Sequence, residues 1–255
     1  MSYEPLPPTP GPVPAPQAVR VSLPQIAPYV TYAIIGVTVV VYLLQLATQA
    51  LLQYDIPALV FMKSNELIRS GQVWRFLTPA LVHSSSSIAH IGFNMYALFS
   101  FGTSLERHFG HGRFLLLYVL GAFTGNVASF IMTDANSLGA STAIFGLLAA
   151  EGVFLYQNRR MFAGQFRSAI GNIIFIAAIN LFLIGSMPGI DNWGHIGGLL
   201  GGLAFAWFAG PVWDVESDLV GGFRLVDRRP TQEIVIGAAI VLAVFGALAL
   251  WGILR

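Results

Sequence analysis

Asp191-Asn192-Trp193-Gly194-His195-Ile196-Gly197-Gly198-Leu199-Leu200-Gly201-Gly202 opens an apolar run that reaches residue 212. Wound as a helix, it sets His195, Gly198 and Gly202 at i, i+3 and i+7, along one face. Glycines on such a face let a neighbouring backbone come close, as small-xxx-small pairs do between membrane helices. Roughly fifty residues earlier, Gly139-Ala140-Ser141-Thr142 heads another apolar run. Nucleophilic and ionisable side chains at membrane depth are expensive to keep and mark function by default. A helix carrying Ser141, packed on the glycine face, brings its hydroxyl within reach of the His195 imidazole.

That both runs belong in lipid follows from composition. The chain has 255 residues, 55% of them hydrophobic and 10% charged. Soluble domains carry about 25% charged residues, so an all-α integral membrane protein is expected, a polytopic helical bundle. A net charge of +1 without a basic stripe excludes a nucleic-acid partner. There is no cysteine, hence no disulfide or thiolate chemistry. Five scattered histidines and no His-Glu-x-x-His give no metal site, and no cofactor motif is present. Residues 1–28 are a different material, with Pro5, Pro7, Pro8, Pro10, Pro12, Pro14 and Pro16 and almost no charge. This composition predicts an extended, disordered cytoplasmic tail rather than a signal peptide.

A span needs about 20 largely apolar residues. Seven segments qualify, near 29–51, 86–104, 112–132, 141–157, 168–187, 193–212 and 232–254. They predict a six-span core over 29–212, a solvated mixed-charge cytoplasmic loop over 213–231 and a seventh helix over 232–255. With the N-terminus inside, nine of the thirteen Lys and Arg residues fall on the cytoplasmic side, and Lys63, Arg69, Arg75 and Arg255 fall outside. The positive-inside bias favours that orientation. It brings Ser141, His195 and the His83–His90 region to the same outer face.

Each motif has a plainer reading beside the chemical one. A serine opening a helix is ordinarily an N-cap, and Ala143 rules out the Gly-x-Ser-x-Gly elbow of soluble hydrolases. A lone histidine can simply bond a carbonyl. His90 and Asn94, at i and i+4 in His90-Ile91-Gly92-Phe93-Asn94, would alone serve as interhelical glue. Beside a Ser/His pair they become preorganised donors for the oxyanion of acyl transfer.

Together, Trp74-Arg75, His90-x-x-x-Asn94, Gly139-x-Ser141 and the His195-Gly198-Gly202 face, in that order over residues 60–210, resemble the rhomboid family of intramembrane serine proteases. The extra C-terminal span resembles its six-plus-one branch. The resemblance implies a Ser141–His195 dyad with no acidic third member. It also implies oxyanion contacts from His90, Asn94 and the Ser141 N–H, and a Phe145 ring under the imidazole. Glu106, in Gly102-x-x-x-Glu106-Arg107, corresponds to an acidic position that ties loops at the cytoplasmic end. The expected substrates are transmembrane segments of single-span proteins in the lipid bilayer, with helix-destabilising residues near the cut. The expected membrane is a bacterial plasma membrane; the oligomeric state is open.

Two departures stand out. Thr142 replaces a glycine common after the nucleophile and is expected to narrow the space beside the scissile peptide. His83 lies seven residues before His90, a longer gap than in some relatives. The remaining polar residues read blandly, with Glu151 neutralised or paired toward the inner water and Asn126, Asn172 and Asn180 as interhelical glue. Gly121 and Gly125 read as packing contacts, and 54–78, with Phe61 and Trp74, as an interfacial loop. Two other classes compete. A catalytically silent rhomboid-like protein binding membrane clients would lack Ser or His, or block the serine. A transporter would show internal repeats and midplane polar groups.

Overall fold

The structure, a computed structural model, describes residues 26–162, 164–217 and 223–255. Residues 1–25, most of the Pro-rich stretch and with it Arg20, lie outside the described residues. The chain begins with α1 (Tyr29–Leu52), then a compact run of short turns: α2 (Ile56–Phe61), α3 (Asn65–Arg69) and 3₁₀ turns at Val73–Phe76 and Thr78–Leu81. Next come α4 (Ile88–Ala97), continued by a π-helical stretch at Leu98–Gly102, and α5 (Thr103–Met132). Helix α6 (Ser141–Gln157) and α7 (Phe166–Ala178), which runs into π-helical turns at Ile179–Ile184, follow. They lead to α8 (Asn192–Ala209), a hairpin of β1 (Trp213–Ser217) and β2 (Phe223–Asp227), and α9 (Thr231–Leu254).

Helix covers each of the seven apolar segments. By length and composition, Tyr29–Leu52, Ile88–Met132, Phe166–Ile184 and Thr231–Leu254 are long and apolar enough to cross a membrane, and Ser141–Gln157 is a shorter apolar helix. The second expected segment does not stop near 104; helix continues to the break at Gly110, whose φ of 76° and ψ of 164° suit only glycine. There the chain turns back into the long part of α5.

Helices α5, α6 and α8 form the centre. Leu117, Leu120, Ala143, Leu147, Phe154, Phe205 and Ala206 are fully or almost fully buried between them. The outer helices present apolar side chains outward: Val40 and Leu43 on α1, Ile174 and Phe175 on α7, Val235 and Leu250 on α9. Helix α7 has no buried residue. In water this would be an aggregation surface; in lipid, hydrocarbon tails are as apolar as leucine and such faces carry no penalty. The chain is an integral membrane protein.

Residues 213–231 are not the bare solvated loop that their charges suggested. β1 and β2 pair antiparallel, Trp213 opposite Asp227 and Ser217 opposite Phe223. The Trp213 N–H donates to Asn158 Oδ1 at 2.8 Å, and Arg113 pairs with Asp227 at 2.6 Å. Arg229 donates to the Gly210 carbonyl and Gln157 and pairs with Glu233. The hairpin therefore fastens the ends of α6, α8 and α9 at the face opposite Ser141.

Candidate active site

Ser141 is the first residue of α6. Gly139 precedes it with φ +126°, and its N–H donates to the Pro79 carbonyl at 2.9 Å. The N-cap position is Ala140, with no side-chain cap bond. The serine hydroxyl is thus not used as a cap. Instead Ser141 Oγ lies 2.9 Å from His195 Nε2. His195, nine-tenths buried, sits in the first turn of α8, whose N-cap Asp191 accepts the Gly194 N–H at 2.9 Å and the Ser129 hydroxyl at 2.5 Å. The Phe145 ring, one turn below Ser141, stacks on the imidazole with centroids 4.3 Å apart and planes 12° from parallel. His195 Nδ1 has no partner among the described residues. For Nε2 to accept the serine proton, Nδ1 must carry the ring hydrogen.

Backbone contact between α6 and α8 sets that distance. A Cβ on Gly198 would lie 2.0 Å from the Thr142 carbonyl oxygen, and one on Gly202 would lie 2.3 Å from the Gly146 carbonyl oxygen. A second glycine face, unnoticed in the sequence, packs on α5: a Cβ on Gly197 would meet the Thr124 carbonyl at 2.6 Å, and one on Gly201 the Thr124 hydroxyl at 2.1 Å. Gly194, Gly197 and Gly201 repeat the i, i+3, i+7 spacing, so the signal was present. Gly121 and Gly125 approach Ala143 and Thr142 from α5.

Thr142 does not narrow the space beside Ser141. Its β-carbon and methyl point toward Gly125, and the methyl also toward Gly194, filling the seam between α5 and α8. The expected obstruction is absent because the first turn of α6 rotates residue 142 about 100° away from residue 141.

His90 Nε2 lies 2.9 Å from where a Gly139 Cβ would be, and Ser141 Oγ lies 3.8 Å from the same point. His90 Nδ1 accepts the Ser84 N–H at 3.3 Å. That contact assigns the hydrogen to Nε2 and makes it a donor facing the serine loop. Asn94 donates one amide hydrogen to the His90 carbonyl at 2.8 Å and keeps a second. The N–H groups of the first turn of α6, Ser141 included, have no partner within the helix.

Other residues escaped the sequence. His83, fully buried in the loop before α4, accepts the Ala140 N–H at Nε2, 3.3 Å away. Burial, with His90 beside it, pushes the His83 imidazole down to about 3. Lys63 is also fully buried and donates to the carbonyls of Ala135 at 2.7 Å and Thr133 at 3.0 Å. Burial lowers its ammonium to about 8, against the pull of Asp191 and Asp134. Asn65 bonds the Phe130 and Thr133 carbonyls, and Arg75 those of Met62 and Leu59. The 54–81 loop is thereby pinned to the C-terminal end of α5. Trp74 and Leu77 stay exposed on its outside.

At the other end, Glu106 accepts the Val30 and Thr31 N–H groups, the Thr31 hydroxyl and His111. It holds the start of α1 against α5. Among the described residues Glu151 meets only the Ser104 hydroxyl, at 3.5 Å. Asn126 bonds the Phe76 carbonyl. Asn180 bonds within its own helix and Asn172 is exposed, so neither is interhelical glue. No cluster of three or more metal-ligating side chains occurs among the described residues. A cavity of about 400 Å³ between Arg69, Asp134, Trp251 and Arg255 shares no residue with the Ser141 cluster.

Residues 70–212 match the Rhomboid domain family model, more than half of the chain. The chain belongs to the rhomboid family. It is 49% identical over 140 residues to "Rhomboid protease GluP" of Bacillus subtilis (strain 168), covering 55% of this chain and 27% of that protein. It is 32% identical over 164 residues to "RHOMBOID-like protein 9, chloroplastic" of Arabidopsis thaliana, covering 64% of this chain and 37% of the relative. With "RHOMBOID-like protein 6, mitochondrial" of the same plant, identity is 33% over 188 residues, 71% of this chain and 60% of the relative. This rhomboid thus spans about a quarter to three fifths of these relatives.

Proposed function

We propose that this rhomboid is an intramembrane serine endopeptidase that cleaves transmembrane segments of single-span membrane proteins. The 2.9 Å contact between Ser141 Oγ and His195 Nε2, with neither group engaged elsewhere among the described residues, carries this proposal. His195 Nε2 takes the hydroxyl proton as Oγ attacks the scissile carbonyl carbon. The oxyanion collects hydrogen bonds from His90 Nε2–H, the free amide hydrogen of Asn94 and the Ser141 N–H, donors fixed before the charge develops. The imidazolium then protonates the leaving amine, the C–N bond breaks, and an acyl ester remains on Ser141. Water, deprotonated by His195, cleaves the ester and releases the new carboxylate. Phe145 holds the imidazole plane throughout; Gly139, Gly198 and Gly202 keep the backbones close enough for the pair to meet.

Helix α6 rises about 25 Å over its 17 residues, slightly less than a ~30 Å hydrocarbon core. Ser141 at its end is then shallow enough for water to arrive from the outer face, with the N-terminus cytoplasmic. A bacterial plasma membrane fits the bacterial relative named a rhomboid protease. A substrate helix must unwind to offer a peptide to Ser141, so substrates carry helix-weakening residues at the cut.

The purified protein in detergent tests this with a single-span substrate and a fluorophosphonate probe. Wild type cleaves and labels at Ser141; Ser141→Ala does neither, and His195→Ala loses cleavage. Retained cleavage in either variant overturns the dyad. A wild type that neither labels nor cleaves any substrate favours a client-binding role instead.

A further inference from the structure

Helix α1 faces lipid along most of its length, yet Gln45 near its end is fully buried. Its side chain grips a piece of backbone. Gln45 Nε2 donates to the His83 carbonyl at 2.8 Å, and Gln45 Oε1 accepts the His83 N–H at 2.9 Å. This pair of bonds mimics one rung of an antiparallel ladder. The same Nε2 also donates to Asp55 Oδ2 at 2.9 Å. From the residue so held, the His83 ring reaches across to accept the Ala140 N–H, one peptide before the nucleophile. Pro79, four residues earlier in the same loop, accepts the Gly139 N–H. The 138–139 and 139–140 peptides, the two before the one that carries the Ser141 N–H, are therefore suspended from the 79–83 loop.

The ring is held at a price in hydrogen bonding. With Nε2 accepting, Nδ1 carries the hydrogen, and Nδ1 is buried without a partner among the described residues. An unsatisfied buried donor is costly, and a leucine of similar size would fill the space without one. The His83 ring also stands edge-on to His90, centroids 5.2 Å apart, so it backs the donor ring as well as the serine loop. Because burial keeps the imidazole neutral down to about pH 3, the Nε2 lone pair is present at every working pH.

We infer that His83 is a positioning residue for the nucleophile, and that Gln45 extends its support into α1. His83 fixes the 139–140 peptide plane, from which Ala140 carries the chain into the Ser141 N–H and side chain. This inference rests on Ser141 acting as the nucleophile. The role is orientation of the reacting atom, so removal acts on turnover rather than on substrate capture.

Side-chain length gives the test. Glutamine places its amide oxygen near where histidine places Nε2, so His83→Gln retains an acceptor for the Ala140 N–H; His83→Leu does not. In the full-length protein, His83→Leu is expected to slow fluorophosphonate labelling of Ser141 and lower kcat by about 100-fold, the scale of a misplacement of about 1 Å. KM should change less than threefold, and His83→Gln should recover most of the rate. Gln45→Leu is expected to lose about tenfold in kcat, again with little change in KM; if His83→Leu does not fold, this variant decides. Wild-type rates in His83→Leu, or in Gln45→Leu should it have to decide, overturn the inference. So does a Gln variant as slow as Leu, or a loss that tracks the melting temperature across all three variants. Failure of the dyad itself is separate: it appears as absence of labelling in the wild type.

Discussion

Gly198→Ala adds one methyl group at the closest point between α6 and α8. Alanine favours helix over glycine by about 1 kcal/mol, so in open space this change would stabilise α8. Here the new carbon would lie 2.0 Å from the Thr142 carbonyl oxygen, where ordinary contact begins at 3.4 Å. The helices must part by about 1.4 Å along that line, the difference between those two distances. Ser141 Oγ and His195 Nε2, at 2.9 Å, would move to as much as about 4.3 Å, beyond hydrogen-bond range. A misplacement of about 1 Å in a reacting pair lowers rate by about 100-fold, and overpacking of this size destabilises by roughly 1–3 kcal/mol. Initial rates on a single-span substrate, the rate of fluorophosphonate labelling and the melting midpoint in one detergent measure all three effects. Gly36→Ala on α1 is the control, since nothing among the described residues lies within 4 Å of its Cβ position. If Gly198→Ala labels Ser141 within threefold of wild type, backbone contact does not set the dyad distance.

Three other perturbations follow from named contacts. Phe145→Ala removes the ring stacked on His195, a contact worth about 1 kcal/mol, and is expected to lower kcat about fivefold; an unchanged kcat would detach the ring from catalysis. Because the ring is buried, the melting midpoint should also fall clearly, reflecting the roughly 3–5 kcal/mol of a large-to-small core change. Glu106→Gln replaces a carboxylate that accepts four hydrogen bonds with an amide whose N–H₂ faces donors; it should destabilise by about 2–4 kcal/mol, read as a lower unfolding midpoint, while labelling at 10 °C persists. Lys63 gives a pH signature. Below pH 8 its ammonium is protonated in folded and unfolded states alike, and the burial penalty is fully present. From about 8 upward the folded state has released a proton that the unfolded state keeps to its ordinary value of about 10.4. The unfolded state then binds more protons, so stability rises with pH. Wild type should therefore gain stability relative to Lys63→Met between pH 8 and 10.5, and a flat difference between the two melting curves would refute it.

The Ser141–His195 contact and its glycine face were legible because both are written within single helices at fixed spacing. Ser141 heads one helix, and His195, Gly198 and Gly202 lie along another. What escaped depends on contacts between distant segments. His83 has no helical neighbour to form a pattern with, and its partners are a backbone N–H at 140 and a glutamine at 45. Lys63 counted as an outside charge, yet it serves as a C-terminal cap for α5; hydropathy cannot distinguish a solvated lysine from one enclosed by carbonyls. The hairpin escaped for another reason. Trp213-Asp214-Val215-Glu216 and Phe223-Arg224-Leu225-Val226 alternate weakly, and their charges dominated the pattern. Thr142 was misjudged because a residue beside the serine in sequence points elsewhere once the helix turns.

The two glycine faces of α8 leave it wedged between α5 and α6, with main chain touching main chain on the α6 side. On the α6 side the contact has no rotamers to relax into, so the spacing of Ser141 Oγ and His195 Nε2 is stored in the backbone and not in side-chain packing that could creep. Of the outer helices, α1 is tied at both ends, to Glu106 and to His83, and α9 is tied through Arg229, whereas α7 has no buried residue. The protein is in this sense a rigid spindle, and membranes of different thickness should leave the spacing of Ser141 Oγ and His195 Nε2 unaltered.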